Sequence, residues 1–110
     1  MAQKKITSQN AKKYAKDYVL YIKERYKLPI NKAYLFGSFA NGKNRDWSDI
    51  DVCIVSPKLR GFNGLTYLST KLRGIDIDRG IEPIGIHPND FVEENPIAYQ
   101  VKHFGKALKV

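Results

Sequence analysis

The most informative segment of the chain is residues 37–52, which read Gly37-Ser38-Phe39-Ala40-Asn41-Gly42-Lys43-Asn44-Arg45-Asp46-Trp47-Ser48-Asp49-Ile50-Asp51-Val52. Short apolar runs lie on both sides of it, and they predict strands over Lys32–Phe36 and Asp49–Val55. The glycines and polar residues between these runs predict a turn and a loop. The segment therefore places polar side chains where one strand ends and the next begins.

Asp49 and Asp51 are separated by one residue on the predicted strand. Because side chains alternate along a strand, both carboxylates lie on the same face. Two carboxylates so close repel each other, and one tends to take up a proton unless a cation lies between them. Hard oxygen ligands at this spacing suit Mg²⁺. The alternative is a solvent-exposed Asp-x-Asp pair at a strand edge, because the motif alone has low specificity.

Gly37 and Ser38 follow the first predicted strand directly. Glycine allows the backbone to approach a phosphate closely, and serine adds a hydroxyl beside the backbone N–H groups. A helix that begins after Ser38 would point its N-terminus at an anion. The alternative is an ordinary turn with a serine cap, which is the simpler interpretation of these two residues alone.

The glycine-serine pair and the aspartate pair together are far more specific than either pair alone. Gly37-Ser38, a second glycine at Gly42, and Ser48-Asp49-Ile50-Asp51 before an apolar strand together resemble the DNA polymerase β-like nucleotidyltransferase superfamily, and within it the minimal nucleotidyltransferases. The resemblance is sharpest over residues 35–55, and the order of elements extends it over nearly the whole chain. It implies an α+β fold, an α/β sandwich in which helices flank a small mixed sheet.

The family also uses a third carboxylate on a later strand, and the resemblance implies Glu82 in the apolar run Ile81–Ile86. An acidic residue buried in such a strand needs a partner or a metal ion. Pro83 leaves open the alternative of an exposed glutamate on an edge strand. The other candidates are Asp76, Asp78 and Asp90, of which the first two are predicted to lie in a loop or at a helix end.

The mechanism implied by the resemblance is attack of an acceptor oxygen on the α-phosphate of a nucleoside triphosphate, with pyrophosphate as the leaving group. Two Mg²⁺ ions are implied, one for the triphosphate and one for the acceptor oxygen. The implied catalytic residues and metal ligands are Asp49, Asp51 and Glu82. The implied nucleotide-binding residues are Gly37, Ser38, Gly42, Lys43, Arg45 and Ser48.

The rest of the sequence predicts alternating helices and strands. Apolar residues at every third or fourth position predict a helix from Thr7 to about Lys27, capped by Thr7 or Ser8, and its tyrosine stripe is interpreted as core packing. The further predicted elements are a loop at Gly61–Gly64, a helix at Leu65–Leu72, a strand at Ile81–Ile86, a helix at Pro96–Phe104 and a short strand at Ala107–Val110.

Composition limits the class of protein. The 110 residues are expected to form a single domain, 1–110. The formal charge of +8 favours polyanionic partners, although the lysines of the first third are interpreted first as a solvated helix face. We expect no membrane span, no signal peptide and a cytoplasmic location. Cys53 is the single cysteine, and neither His87 nor His103 has a partner at zinc-site spacing.

The small size leads to a hypothesis about the partner. Larger family members carry an added helical domain, for which this chain has no room. Minimal nucleotidyltransferases resemble, as a class, the antitoxins paired with HEPN proteins, which are all-helical ribonuclease toxins. The implied reaction is transfer of AMP from ATP to a tyrosine of the toxin. The alternatives are a protein that neutralises its partner by contact alone, a basic nucleic-acid-binding module, which is less favoured, and an enzyme that modifies a small-molecule acceptor.

Overall fold

Four strands form a mixed sheet in the order β3-β2-β1-β4 within the part of the chain that the structure describes. The structure is a computed structural model that describes residues 6–43 and 48–110. The strands are β1 (Lys32–Phe36), β2 (Ile50–Val55), β3 (Ile81–Ile86) and β4 (Lys106–Ala107). β1 pairs antiparallel with β2 and β4, whereas β2 pairs parallel with β3. The parallel pairing places the beginnings of β2 and β3 side by side.

The helices are α1 (Ser8–Tyr26), α2 (Ser38–Asn41), α3 (Phe62–Thr66), α4 (Gly74–Asp78) and α5 (Pro96–Phe104), with 3₁₀ turns at Leu68–Lys71 and Pro88–Asp90. The Thr7 hydroxyl caps α1 by accepting a hydrogen bond from the Asn10 backbone N–H at 3.1 Å, as predicted. The predicted bounds of α5 are confirmed, with Asn95 as its cap and Gly105 just beyond its end.

Helices cover both faces of the sheet, which confirms the predicted α+β sandwich. On one face, α1 packs through Ala15, Tyr18 and Ile22 against alternate residues of the central strands, such as Val52. The tyrosine stripe of α1 is therefore core, as predicted. On the other face, Ala98 and Val101 of α5 pack with Cys53, Val55 and Ile86.

The segment Gly61–Leu72 differs from its predicted structure. The predicted loop Gly61–Gly64 and helix Leu65–Leu72 are instead α3 followed by a 3₁₀ turn. Gly64 lies against Gly85, where a Cβ on Gly64 would be 2.6 Å from the Gly85 carbonyl oxygen. This close contact holds α3 on β3, and Leu65 is 56% exposed whereas Leu68 is buried, so the two leucines do not share one side of a helix.

In the second half of the chain, one prediction is confirmed and one differs. Asp76 and Asp78, predicted to lie in a loop or at a helix end, belong to the short helix α4, of which Asp78 is the last residue. The last strand is Lys106–Ala107 rather than Ala107–Val110. Pairing explains this shift, because only Tyr34 and Leu35 of β1 are aligned with it in the register.

The surface of α1 carries a row of lysines. Those on its solvent side, all exposed, are Lys12, Lys13, Lys16 and Lys23. This agrees with the interpretation of a solvated helix face. Among the described residues, no helix is both long enough and apolar enough to cross a bilayer.

Candidate functional site

Asp49 and Asp51 lie on one face at the start of β2, as the strand alternation predicted. Ile50 between them is fully buried on the opposite face. Asp51 is half-buried and Asp49 is exposed. Further along the same face, Cys53 and Val55 are buried in the cluster that contains α5. The acidic pair therefore lies beyond the part of the sheet that α5 covers.

Glu82 joins this pair from β3, because the parallel register aligns it with Asp51. Asp49 also lies close enough to Glu82 for its charge and a side-chain hydrogen bond to raise the pKa of the Glu82 carboxyl. The premise that Glu82 is buried is wrong, since it is exposed on the edge strand β3 beside Pro83. The structure nevertheless brings the three predicted carboxylates together, and we refer to Asp49, Asp51 and Glu82 as the acidic cluster.

Electrostatic repulsion affects the protonation of the acidic cluster. Burial, together with the negative charges of Glu82 and Asp49, raises the pKa of Asp51 to about 6. Partial burial, the Asp49 charge and the hydrogen bond with Asp49 raise the pKa of Glu82. Carboxylates this close are stabilised by either a proton or a cation between them. The cluster is therefore a region of concentrated negative potential at the sheet edge.

Gly37 lies directly against the Asp51 carboxylate. Its φ of +75° is a conformation that glycine adopts without strain, and Phe36 before it is aligned with Asp51 in the β1–β2 register. A Cβ at Gly37 would lie 2.0 Å from Asp51 Oδ2, closer than any real contact. Glycine is thus required here for two reasons, its backbone conformation and the space that the carboxylate occupies.

The predicted helix after Gly37 is the short α2, which Phe39 and Ala40 anchor in the core. This anchoring holds Ser38, which is half-buried, at the end of β1 next to the acidic cluster. Because α2 has only four residues, its dipole is small. Any phosphate contact here therefore depends on the Gly37–Ser38 backbone and the Ser38 hydroxyl.

Of the remaining predicted nucleotide-binding residues, Gly42 and Lys43 directly follow α2. Gly42 ends α2 with φ +77°, and the Lys43 backbone N–H donates to the Ser38 carbonyl at 3.0 Å, while the Lys43 side chain is exposed. Ser48 is half-buried and directly precedes Asp49. Arg45, together with Asp46 and Trp47, lies outside the described residues.

A cavity of about 560 Å³ opens beside the acidic cluster. Pockets of this size accommodate small-molecule substrates. All three carboxylates of the cluster line it on one side. Its remaining lining is mostly apolar and comprises Phe36, Ser69, Leu72, Ile77, Gly80, Ile81, Pro83 and Ile84.

Several of these lining residues were missed in the sequence. Ser69, Leu72 and Ile77 come from the 3₁₀ turn, its end and α4, which fold over the β3 edge. Their short elements have no clear periodicity. The buried Asp76, considered as a third ligand, instead binds Arg73 through its carboxylate oxygens, and the i,i+3 spacing of this pair was the available signal. Asp78 and Asp90 are exposed and do not line the cavity.

The side chains of the acidic cluster are not placed in a metal-binding geometry. Over residues 6–43 and 48–110, no three His, Cys, Asp or Glu side chains are close enough to enclose a metal ion as they are placed. Asp49 and Glu82 are exposed, so their side chains have room to rotate. The oxygen donors are hard ligands of the kind that Mg²⁺ prefers, and the acidic cluster thus fits this ion by its chemistry.

Comparison with known proteins gives one match to a family. The family described as "Nucleotidyltransferase domain" matches residues 15–105, which is most of the chain. A curated relative from Methanocaldococcus jannaschii, named "Putative protein adenylyltransferase", is 40% identical over 63 residues. That match covers 57% of this chain and 61% of the relative, so the chain spans less than two thirds of the relative's length.

Solved structures share the fold. A crystal structure from Sulfolobus solfataricus, titled as a putative nucleotidyltransferase, aligns with a TM-score of 0.63 and 21% identity over 91% of this chain and 80% of that one. A toxin–antitoxin with AMP-PNP aligns with a TM-score of 0.60 and 22% identity, over 86% of this chain and 72% of that one. At these identities, the likeness shows the fold alone.

Proposed function

Because the chain belongs to the nucleotidyltransferase domain family, we propose that it is an Mg²⁺-dependent enzyme that transfers AMP from ATP to an acceptor hydroxyl. The observation that carries the proposal is the alignment of Glu82 with the Asp49–Asp51 pair beside the Gly37–Ser38 turn. The parallel β2–β3 register concentrates negative charge at the acidic cluster. This charge would bind cations, and the cations would in turn bind a triphosphate. A purely structural role does not explain three carboxylates that line the same cavity.

The acidic cluster would hold two Mg²⁺ ions. When bound, these ions neutralise the triphosphate and activate the acceptor oxygen as Lewis acids. Asp49, Asp51 and Glu82 would hold these ions through their carboxylate oxygens. The raised pKa of Asp51 supports this assignment, because it comes from burial and from the charges of Glu82 and Asp49, and a bound cation would offset both.

The Gly37–Ser38 turn would bind the terminal phosphates of ATP. The absence of a side chain at Gly37 lets the backbone lie directly on Asp51, so phosphate and carboxylates can share the same ions. Gly42 and Ser48 would shape the loop on this side. The cationic side chains of Lys43 and Arg45 would neutralise charge on the leaving pyrophosphate.

Glu82 would act as the base on the acceptor side. The acceptor oxygen attacks the α-phosphorus, the bond from that phosphorus to the bridging oxygen of the β-phosphate breaks, and pyrophosphate leaves with the electron pair. The acceptor proton passes to Glu82, the carboxylate of the acidic cluster that lies on the edge strand β3. The position of Glu82 at the exposed edge leaves it accessible to a large acceptor.

The acceptor is proposed to be a tyrosine of a HEPN-type toxin, and the chain its antitoxin in the cytoplasm. Apolar walls at Leu72, Ile77 and Pro83 suit an aromatic ring better than a sugar or a phosphate. Two similar proteins support this choice: the curated relative is named a putative protein adenylyltransferase, and structures of the same fold include a toxin–antitoxin.

The proposal is tested by incubating the protein with α-labelled ATP, Mg²⁺ and the toxin encoded beside it. We expect label on a tyrosine of the toxin, release of pyrophosphate and loss of toxin activity. The Asp51→Asn variant should give no label. If that variant still neutralises the toxin fully, the protein acts by contact alone and the enzymatic proposal is wrong.

The acceptor site is tested separately with two isoleucines of α4. Ile77 lines the cavity and is 63% exposed, whereas Ile75 is 46% exposed and lies outside the cavity lining. Ile77→Asp should raise the KM for the acceptor about tenfold and leave ATP affinity unchanged, because a charge replaces apolar contact with the ring. Ile75→Asp is the matched control. Equal effects of both variants on the acceptor KM would contradict the assignment of the cavity.

A further inference from the structure

The connection between α4 and β3, Arg79–Gly80, is bonded to the start of β2. The Ile50 backbone N–H donates to the Gly80 carbonyl at 2.8 Å. Ile50 lies between Asp49 and Asp51, and Gly80 is two residues before Glu82. This backbone hydrogen bond extends the parallel β2–β3 pairing to Gly80, at the level of the acidic cluster.

Gly80 also lies close to Asp49. It has a φ of +76°, and a Cβ built on it would be 3.6 Å from Asp49 Oδ1. The space would admit a methyl group, so the backbone conformation is what requires glycine at this position. A shift of this glycine would move its hydrogen bond to Ile50 and alter the spacing between Asp49 and Glu82.

Arg79 fixes the connection to the longest helix. Its Nη1 donates to Asp17 Oδ2 of α1 at 3.0 Å, and its guanidinium carbon lies 4.1 Å from the centre of the Tyr14 ring. α4 has only five residues and is too short to be stable on its own. The position of the connection therefore depends on its attachment to α1.

Asp17 binds the other end of α4 as well. Arg73, just before α4, donates from Nη2 to Asp17 Oδ2 at 2.8 Å and lies over the Tyr21 ring at 4.3 Å. An isolated exposed ion pair contributes little. Here, however, one carboxylate binds two arginines, each stacked on a tyrosine of the same helix, so the contacts restrain one another.

We infer that Asp17 and Arg79 are positioning residues, which hold the Arg79–Gly80 connection in place and so set the spacing between Glu82 and the Asp49–Asp51 pair. The consequence for catalysis rests on the proposed function, whereas the mechanical part of the inference does not. Neither residue lines the cavity, and the path from Asp17 to the acidic cluster runs through Arg79, Gly80 and Ile50.

The mechanical part is tested by amide hydrogen exchange on the full chain. The two ends of the β2–β3 pair provide an internal comparison, because Ile50 donates to Gly80 at one end and Ser56 donates to Ile86 at the other, at 3.0 Å. Arg79→Ala should speed exchange of the Ile50 amide about tenfold and leave the Ser56 amide unchanged. Arg79→Lys, which keeps the ion pair, should restore most of the protection.

The control is Arg25→Ala, since Arg25 also lies over a tyrosine of α1, Tyr26, at 5.3 Å. This variant should leave both amides at wild-type rates. Equal acceleration of the Ile50 and Ser56 amides in Arg79→Ala would indicate general destabilisation and overturn the inference. Unchanged exchange at Ile50 would overturn it as well.

The catalytic part is tested by the Mg²⁺ dependence of nucleotidyl transfer. Asp17→Asn should raise the Mg²⁺ concentration for half-maximal transfer about fivefold and leave the rate at saturating Mg²⁺ within about twofold, because spacing and not a metal ligand changes. Glu24→Gln, an exposed site on the same helix, should match the wild type. If the wild type is active and Asp17→Asn shows the same Mg²⁺ dependence, the positioning role of Asp17 is overturned. An inactive wild type instead contradicts the proposed function, and the exchange result then decides the inference alone.

Discussion

Two groups of carboxylates lie near the Arg79–Gly80 connection, and their charges are balanced in opposite ways. In the first group, Asp17 and Asp76 bind Arg73 and Arg79, and we call these four residues the ion-pair network. In the second group, the acidic cluster, the carboxylates lie near other carboxylates. Partial burial acts to raise the pKa of Asp17, but the hydrogen bonds and charges of Arg73 and Arg79 outweigh it and lower that pKa. The pKa of Asp51 is raised to about 6.

This difference implies that the ion-pair network stabilises the folded state, whereas the acidic cluster destabilises it. Carboxylates paired with arginine are stabilised in the folded state and attach α4 to α1. Carboxylates placed beside one another oppose folding at neutral pH. Such an arrangement is useful if a cation and a substrate bind there, which is the pattern expected of a catalytic site.

The largest expected effect comes from Asp51→Asn, which removes the central charge of the acidic cluster. Nucleotidyl transfer should fall by about 10³-fold or more, because the variant loses a shared metal ligand. The free energy of unfolding without divalent ions should rise by about 1 kcal/mol, because repulsion is relieved at a half-buried and partly screened site. Thermal unfolding and a transfer assay measure both. A variant that is less stable than the wild type would show that repulsion does not dominate the cluster.

Gly37→Ala should displace the Asp51 carboxylate of the acidic cluster. The new Cβ would overlap Asp51 Oδ2 and force a strained φ, so unfolding free energy should fall by about 2 kcal/mol and transfer by about 100-fold. Gly61→Ala is the control, because Gly61 has φ +58° but no heavy atom within 4 Å of the added Cβ. It should cost only about 1 kcal/mol and preserve transfer. Equal losses in both variants would mean that the contact with Asp51 is unimportant.

Asp76→Ala should break the ion-pair network. Asp76 is fully buried and binds Arg73 by two side-chain hydrogen bonds, so its loss should lower the free energy of unfolding by about 2 kcal/mol. Asp78→Ala, an exposed site on the same helix, should change it by less than about 0.5 kcal/mol. Urea unfolding distinguishes the variants. Similar stabilities would show that α4 does not depend on this pair.

The smallest effect is expected from pH. The folded-state pKa of Asp51, about 6, exceeds its ordinary value of 3.8, so its contribution to stability grows as pH falls from about 7 to about 4 and is lost as pH rises through 6. Asp17 has a lowered pKa, so its contribution is present above 3.8 and is lost at lower pH. The wild type should therefore gain about 1 kcal/mol relative to Asp51→Asn between about pH 8 and about pH 5 in divalent-free buffer. A constant difference across this range would contradict the raised pKa.

Much of the acidic cluster could be predicted because its signals are local. Strand alternation alone places Asp49 and Asp51 on one face, and a glycine-serine pair after an apolar strand predicts the turn beside them. Glu82 was selected by resemblance, partly on the wrong premise of burial. Its alignment with Asp51 depends on how two strands about thirty residues apart pair, which no local pattern encodes.

The sequence by itself determined the elements with strong periodicity, α1, β2 and α5, and the motif that carries the family resemblance. Only the tertiary structure decided that β2 and β3 are parallel neighbours, that α4 exists, and that Asp17 binds both of its ends. The physical reason is range. Periodicity and capping act within a few residues, whereas strand register, the packing of short helices and ion pairs between distant residues depend on contacts that form only when the chain is folded.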